Sequence, residues 1–140
     1  MTAGATQEYL DPVRYLSAPS SGRMGYALAE AAHAYGAHVT LISGPSALNT
    51  HLNVHQVTSA KEMLNAVHLA LPCDIFIGAA AVADYTPTQC SIDKLKKSTH
   101  PLSIACQPTD DIILSVSKST PRPMCVGFAA ETSNVIEYAK

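Results

Sequence analysis

The chain has 140 residues, 47% hydrophobic and 14% charged, which is enough apolar material for one packed core and too little charge for a disordered segment. Its net charge of −2 carries no electrostatic footprint for nucleic acid or an anionic membrane. The longest apolar run, residues 75–83, is far short of a bilayer span, and the N-terminus lacks the pattern of a signal peptide.

Residues 2–6 (TAGAT) read as the turn after a strand that is itself missing. An amphipathic helix is expected over residues 26–35, with Leu28, Ala31, Ala32 and Tyr35 on its apolar face and Gly36 ending it. A short strand over 39–42 stops at Ser43-Gly44-Pro45, and a second covers 54–57. Ser59 caps a helix over 60–70, with Glu62 at its third position and Met63, Leu64, Val67 and Leu71 as its stripe. Pro72 stops it. Residues 74–81 form a continuous apolar run that suits a strand buried on both faces. A strand over 102–106, a helix from Thr109 or Asp110 through Val116, a last buried strand over 124–129 and a helix over 133–140 complete the pattern. Strands alternating with helices predict an α/β fold with a mostly parallel sheet. The truncated look of both termini predicts a single domain, residues 1–140, that is a piece of a larger fold. In such sheets ligands sit at the C-terminal ends of the strands. Three polar stretches lie after strands or before helices, so they are placed to converge there.

The first is 11–25. It sets Arg14, Ser20, Ser21 and Gly22 just ahead of a helix start, where unpaired N–H groups favour an anion. Arg14 reads equally as a fork for carboxylate or phosphate and as a surface partner of Asp11 or Glu8, and the serines read also as ordinary caps. The second is 78–85 (GAAAVADY). Here Asp84 is placed either to accept from a ligand amine or to cap a turn, and Ala79, Ala80 and Ala81 are small enough for a flat ligand or for tight packing. The third is Lys94, Lys96 and Lys97, a polyphosphate partner or a solvated face. Phe128, at the end of a strand, offers a stacking face for a base or fills the core. No G-x-G-x-x-G is present, which disfavours an NAD(P) oxidoreductase. Cys73, Cys90, Cys106 and Cys125 include no C-x-x-C pair and read as reduced, partly buried thiols of a cytoplasmic protein. His51 and His55 read as surface histidines.

Taken in order, TAGAT (2–6), DPVRYLS (11–17), SSGRMGYALAEAA (20–32), VTLISGP (39–45), AAVADY (80–85), KLKK (94–97) and VGFAAET (126–132) resemble the phosphopantothenate–cysteine ligase family over nearly the whole chain. In many bacteria this ligase is the C-terminal half of a bifunctional coenzyme A biosynthesis protein. The resemblance implies a dimeric Rossmann-like domain. It also implies a reaction in which 4'-phosphopantothenate is activated by CTP with Mg²⁺, giving an acyl-cytidylate and pyrophosphate. The amine of L-cysteine then displaces CMP. Carried over by position, Gly78, Ala79, Ala80 and Asp84 contact the cytidine nucleotide. Lys94 binds its phosphates and acts in catalysis, and Asp110, Asp111, Ile112, Ile113 and Phe128 complete the pocket. Arg14 is catalytic and, with Ser20, Ser21 and Gly22, binds substrate. No metal ligand is assigned, and FMN is expected only if a decarboxylase domain precedes the chain in its native protein.

Two departures bear on activity. The family's S-N-x-S-S-G is here Ser17-Ala18-Pro19-Ser20-Ser21-Gly22, so an amide of the acyl-transfer site is replaced by a methyl group. The family's K-x-P-D-I is here Pro108-Thr109-Asp110-Asp111-Ile112, with one positive charge fewer. The alternative to a ligase is therefore a non-catalytic nucleotide-binding or dimer-partner domain.

Overall fold

In the computed structural model, which describes residues 1–134 and 137, the chain begins with β1 (Thr2–Ala3), β2 (Glu8–Tyr9), β3 (Tyr15–Leu16), α1 (Arg23–Ala34), β4 (Leu41–Ser43) and β5 (Val54–Gln56). It continues with α2 (Ala60–Leu69), β6 (Ile75–Gly78), β7 (Tyr85–Pro87), β8 (Cys106–Pro108), α3 (Ile112–Ser117) and β9 (Met124–Gly127). Five strands pair in parallel in the order β5-β4-β1-β6-β9. The chain thus winds outward from β1 in one direction and then in the other. That is the doubly wound arrangement, with its topological switch point between β1 and β6.

Helices cover the two faces. On one, Tyr26 and Ala29 of α1 pack with Ala3 and Leu41. On the other, Met63, Leu64 and Val67 of α2 and Ile112 and Val116 of α3 pack with Ile42 and Phe76. The Ser59–Glu62 capping box forms as the sequence predicts, each side chain bonding the other's backbone N–H. Glu8, itself buried, accepts a further bond at that helix start from Ala60 N at 2.8 Å.

Several expectations shift. Residues 2–3 are not a turn after a missing strand. They are the central strand, short but paired on both sides. The α1 helix starts at Arg23, and its buried residues are Gly25, Tyr26 and Ala29 rather than the expected Leu28, Ala31, Ala32 and Tyr35. Close approach to β1 demands small residues, whereas Tyr35, the C-cap, is 94% exposed. The strand expected over 102–106 forms later, as β8, and pairs antiparallel with β7 in a separate ribbon. Both β6 and β9 are less buried than their apolar runs imply, because α1 lies over β1 and β4. Ile75 and Met124, paired in register, are 53% and 65% exposed. Cys90 and Cys106 are exposed and Cys73 and Cys125 half-buried, all four as free thiols. Most of the expected helix over 133–140 lies outside the described residues.

The β2–β3 hairpin is held by one buried carboxylate. Asp11 Oδ1 accepts from the backbone N–H groups of Val13 and Arg14, both at 2.8 Å, which is the turn that Asp-Pro favours. Its Oδ2 accepts from Arg14 Nε at 3.0 Å, Arg14 Nη2 at 2.5 Å and Leu95 N at 3.1 Å. The Arg14 guanidinium, with these backbone donors, holds the Asp11 carboxyl well below the usual carboxylate range, against the opposing effect of burial.

Two stability predictions follow from these contacts. A Cβ at Gly25 would stand 2.6 Å from Ala3 Cβ and 2.9 Å from Thr2 O, against a central strand that cannot yield. Gly25→Val is expected to cost about 1–3 kcal/mol by overpacking, read from urea unfolding; an unchanged midpoint would contradict this packing. Because the folded pKa of Asp11 is depressed, its stabilisation is complete above the unfolded value near ~4 and is lost as pH falls from there through the folded value. The stability gap between the native chain and Asp11→Asn is therefore constant from pH 7 to 5 and narrows below pH ~4. A gap independent of pH would refute the pairing.

Candidate functional site

The C-terminal end of β1 runs directly into the switch-point crevice. Gly4 turns at φ 73°, where a Cβ would meet Gly44 O at 2.8 Å. Ala81 N donates to Gly4 O at 2.8 Å, and Thr6 N donates to Ala81 O at 3.2 Å. Two buried hydroxyls extend the match: Ala80 N donates to Thr2 Oγ1 at 3.3 Å, and Ala83 N to Thr6 Oγ1 at 2.9 Å. From the far side Thr109 Oγ1 donates to Ala83 O at 2.6 Å, and Thr109 N to Asp84 O at 2.9 Å. Residues 80–84 are thus held from both flanks by backbone and hydroxyl hydrogen bonds.

Between this stretch and α3 lies a cavity of about 310 Å³. Its walls include Gly78, Ala80, Asp84, Asp110, Asp111, Ile112, Ile113 and Phe128, which are the residues assigned to the nucleotide pocket apart from Ala79 and Lys94. Thr2, Phe76, Val82, Ala83 and Thr109 complete it; Val82 and Ala83 fall within the 78–85 stretch singled out from the sequence, but none of the five was assigned to the pocket individually. The side chains of Phe76, Val82, Ile112, Ile113 and Phe128 make an apolar wall, and Phe128 is half exposed. The three carboxylates differ in their commitments. Asp111 caps α3 through Leu114 N at 2.8 Å, and Asp110 lies 3.6 Å from Lys61 in an exposed pair. Asp84 is exposed, and its carboxylate makes no hydrogen bond among the described residues. Gly78 plays a packing part: a Cβ there would meet Ile113 at 3.0 Å. A larger hollow of about 560 Å³ lies at the other end of the strands, against Met1, Val39, Thr40, Cys73 and Ile75, and holds none of the assigned residues.

Arg14 and Lys94 do not line the cavity. Arg14 instead reaches the backbone of the residue after Lys94: its Nη2, besides binding Asp11, donates to Leu95 O at 2.5 Å. Of the two partners expected for Arg14, Asp11 is the one it takes. The Arg14 side chain remains 41% exposed, and its Nη1 donors have no partner among the described residues. Lys94, Lys96 and Lys97 are all exposed. Gly22, not a serine, is the α1 N-cap, at φ 78° and without a side-chain cap. A Cβ on Gly22 would fall 3.1 Å from Gly4 N, so the helix start abuts the loop after β1. Ser20 Oγ accepts from Gly22 N at 3.3 Å, which shapes that approach. Ala18 is exposed and contributes no polar side-chain atom. Among the described residues no group of three or more His, Cys, Asp and Glu side chains could hold a metal ion, and no helix is long and apolar enough to cross a membrane.

The family model for the C-terminal domain of the DNA/pantothenate metabolism flavoprotein matches residues 1–140. The coenzyme A biosynthesis bifunctional protein CoaBC of Haemophilus influenzae is 51% identical over 144 residues, covering 100% of this chain and 36% of the relative. The protein of the same name from Vibrio vulnificus is 51% identical over 146 residues, with 100% and 36% covered. The chain therefore spans about a third of the length of these curated relatives. The crystal structure of the C-terminal domain of CoaBC matches with a TM-score of 0.82 at 44% identity, over 99% of this chain and 66% of that one. With the full chain matched in sequence and the doubly wound sheet matched in space, this protein belongs to the family of DNA/pantothenate metabolism flavoprotein C-terminal domains.

Proposed function

We propose that the chain is the nucleotide-using part of a phosphopantothenate–cysteine ligase in coenzyme A biosynthesis, with CTP as activator. The observation that supports this best is the grouping of an apolar wall, the half-exposed Phe128 ring and the unpartnered Asp84 carboxylate around one cavity at the switch point. A base needs an apolar slot and a stacking face. The exocyclic amine of cytosine needs an acceptor, and Asp84 supplies a charged one.

The triphosphate has to leave this cavity, because Asp110 and Asp111 would repel it. Its natural direction is toward Lys94, Lys96, Lys97 and Arg14, with the α1 start and residues 20–22 as a second anion position for phosphopantothenate. The chemistry requires such neutralisation. The phosphopantothenate carboxylate attacks the α-phosphorus of CTP and pyrophosphate leaves; the cysteine amine then attacks the activated carbonyl and CMP leaves. Positive charge at the phosphates lowers both barriers, and closure against water protects the mixed anhydride. Mg²⁺ would be held mainly by the phosphates and water, as this cation commonly is. A homodimer in the cytoplasm is the assembly and location this reading entails. FMN belongs to it only through a decarboxylase domain elsewhere in a longer protein.

One residue favours a second reading. Ala18 supplies no donor where the family's asparagine serves acyl transfer, so the chain would bind CTP without completing the reaction. Incubation with 4'-phosphopantothenate, cysteine, CTP and Mg²⁺ separates the two. The ligase reading expects phosphopantothenoylcysteine and pyrophosphate, with Ala18→Asn raising the rate by roughly 10²-fold. A folded, CTP-binding chain that forms no product in either version would leave the non-catalytic reading.

A further inference from the structure

The buried Asp11 carboxylate accepts five hydrogen bonds, of which two come from the Arg14 side chain and one from Leu95 N in the middle of the lysine segment. Arg14 closes the triangle by donating to Leu95 O. A third fastening lies nearby, where Ser91 N donates to Leu10 O at 2.9 Å. Two segments more than 80 residues apart in sequence are thereby fastened together, Leu95 N donating to the Asp11 carboxylate across 84 residues and Arg14 donating to Leu95 O across 81.

We propose that Asp11 is a positioning residue that makes Arg14 and the Lys94–Lys97 segment a single anion-binding unit. The Asp11 carboxylate neutralises one side of the guanidinium and fixes its plane. That leaves the Nη1 donors, unpaired among the described residues on a side chain that is 41% exposed, to face a ligand. The same carboxylate fixes the backbone at Leu95, so the lysines on either side are presented at a set distance from Arg14. Five charge-assisted or backbone bonds to a side chain that is 0% exposed exceed what an ordinary hairpin turn needs. Only two of them make the turn; the other three serve the arginine and the distant loop. The inference rests on the phosphate-binding role proposed above for Arg14 and Lys94.

The test is a mutant cycle on the affinity for inorganic pyrophosphate, measured by calorimetry on the full chain. Arg14→Gln, Lys94→Gln and the double variant are compared in the native background and again with Asp11→Asn. If the unit exists, the two substitutions are non-additive by about fivefold or more in the native background, and this coupling falls within twofold when Asp11 is changed. Leu95→Pro, which removes that N–H donor at a half-buried loop position and also fixes φ there, is the second variant should Asp11→Asn fail to fold, with Leu95→Ala, which keeps the donor, as its control; the proline should abolish the coupling and the alanine retain it. Additive effects in the native background, coupling that survives both variants, or no pyrophosphate binding at all would each overturn the proposal. Intact coupling in a chain that makes no phosphopantothenoylcysteine would count against the ligase reading alone.

Discussion

Hydrogen bonding through residues 2–6 is the constraint on which the rest of the molecule depends. This segment is almost wholly shielded from water, so each of its polar groups must find a partner inside the protein. Thr2 and Ala3 supply the central strand, Gly4 makes the turn, and Thr6 reaches across to Ala83. Both sheet halves, the α1 start at Gly22 and the stretch 78–84 are placed against it. A short run of small and hydroxylated residues is what this geometry requires. Larger side chains would push α1 off the strand, and apolar ones would strand the amides of Ala80 and Ala83 without acceptors.

The site that results is divided electrostatically. Carboxylates gather at the cavity by α3, and cations gather at the hairpin and the 94–97 segment. A ligand with an amine-bearing base at one end and phosphates at the other fits such a division, whereas a uniformly anionic ligand would be expelled from the cavity. The Asp11 carboxylate is the exception that supports the pattern. It is negative, yet wholly consumed in orienting Arg14 and Leu95, so it subtracts little from the charge offered to a ligand.

Much of this was legible in the sequence, and for physical reasons. The Ser59–Glu62 box and the Met63, Leu64 and Val67 part of the stripe are local and form as read, while Leu71, the fourth expected member, falls past the helix end and is half-buried against the same core. The alternation of helices and strands was enough to predict the parallel sheet. Local reasoning failed where long-range contacts decide. It missed that Thr2–Ala3 is a strand, since two residues carry no periodicity and only β4 and β6 make them one. The α1 face was misjudged because packing on Ala3 selects Gly25 and Ala29 over larger neighbours. The β2–β3 and β7–β8 ribbons are too short to announce themselves. At the site, the residues around Asp84 and Phe128 were named from the motif order, but the supporting hydroxyls of Thr2, Thr6 and Thr109 were not. The turn-forming Asp-Pro at 11–12 was a usable signal for a buried Asp11; its second attachment, to Leu95, was not readable from sequence.

The central claim is that the switch-point cavity takes the base of a cytidine nucleotide through Asp84. The most direct measurement is an amide-resolved NMR titration of the chain with CTP and, separately, with UTP, which replaces the amine donor by an acceptor. The account predicts shifts centred on residues 80–84 and 109–113 and on Phe128, with CTP the tighter ligand by about tenfold, as loss of a hydrogen bond to a charged group implies. Equal affinity for the two nucleotides, or shifts centred away from this cavity, would contradict it.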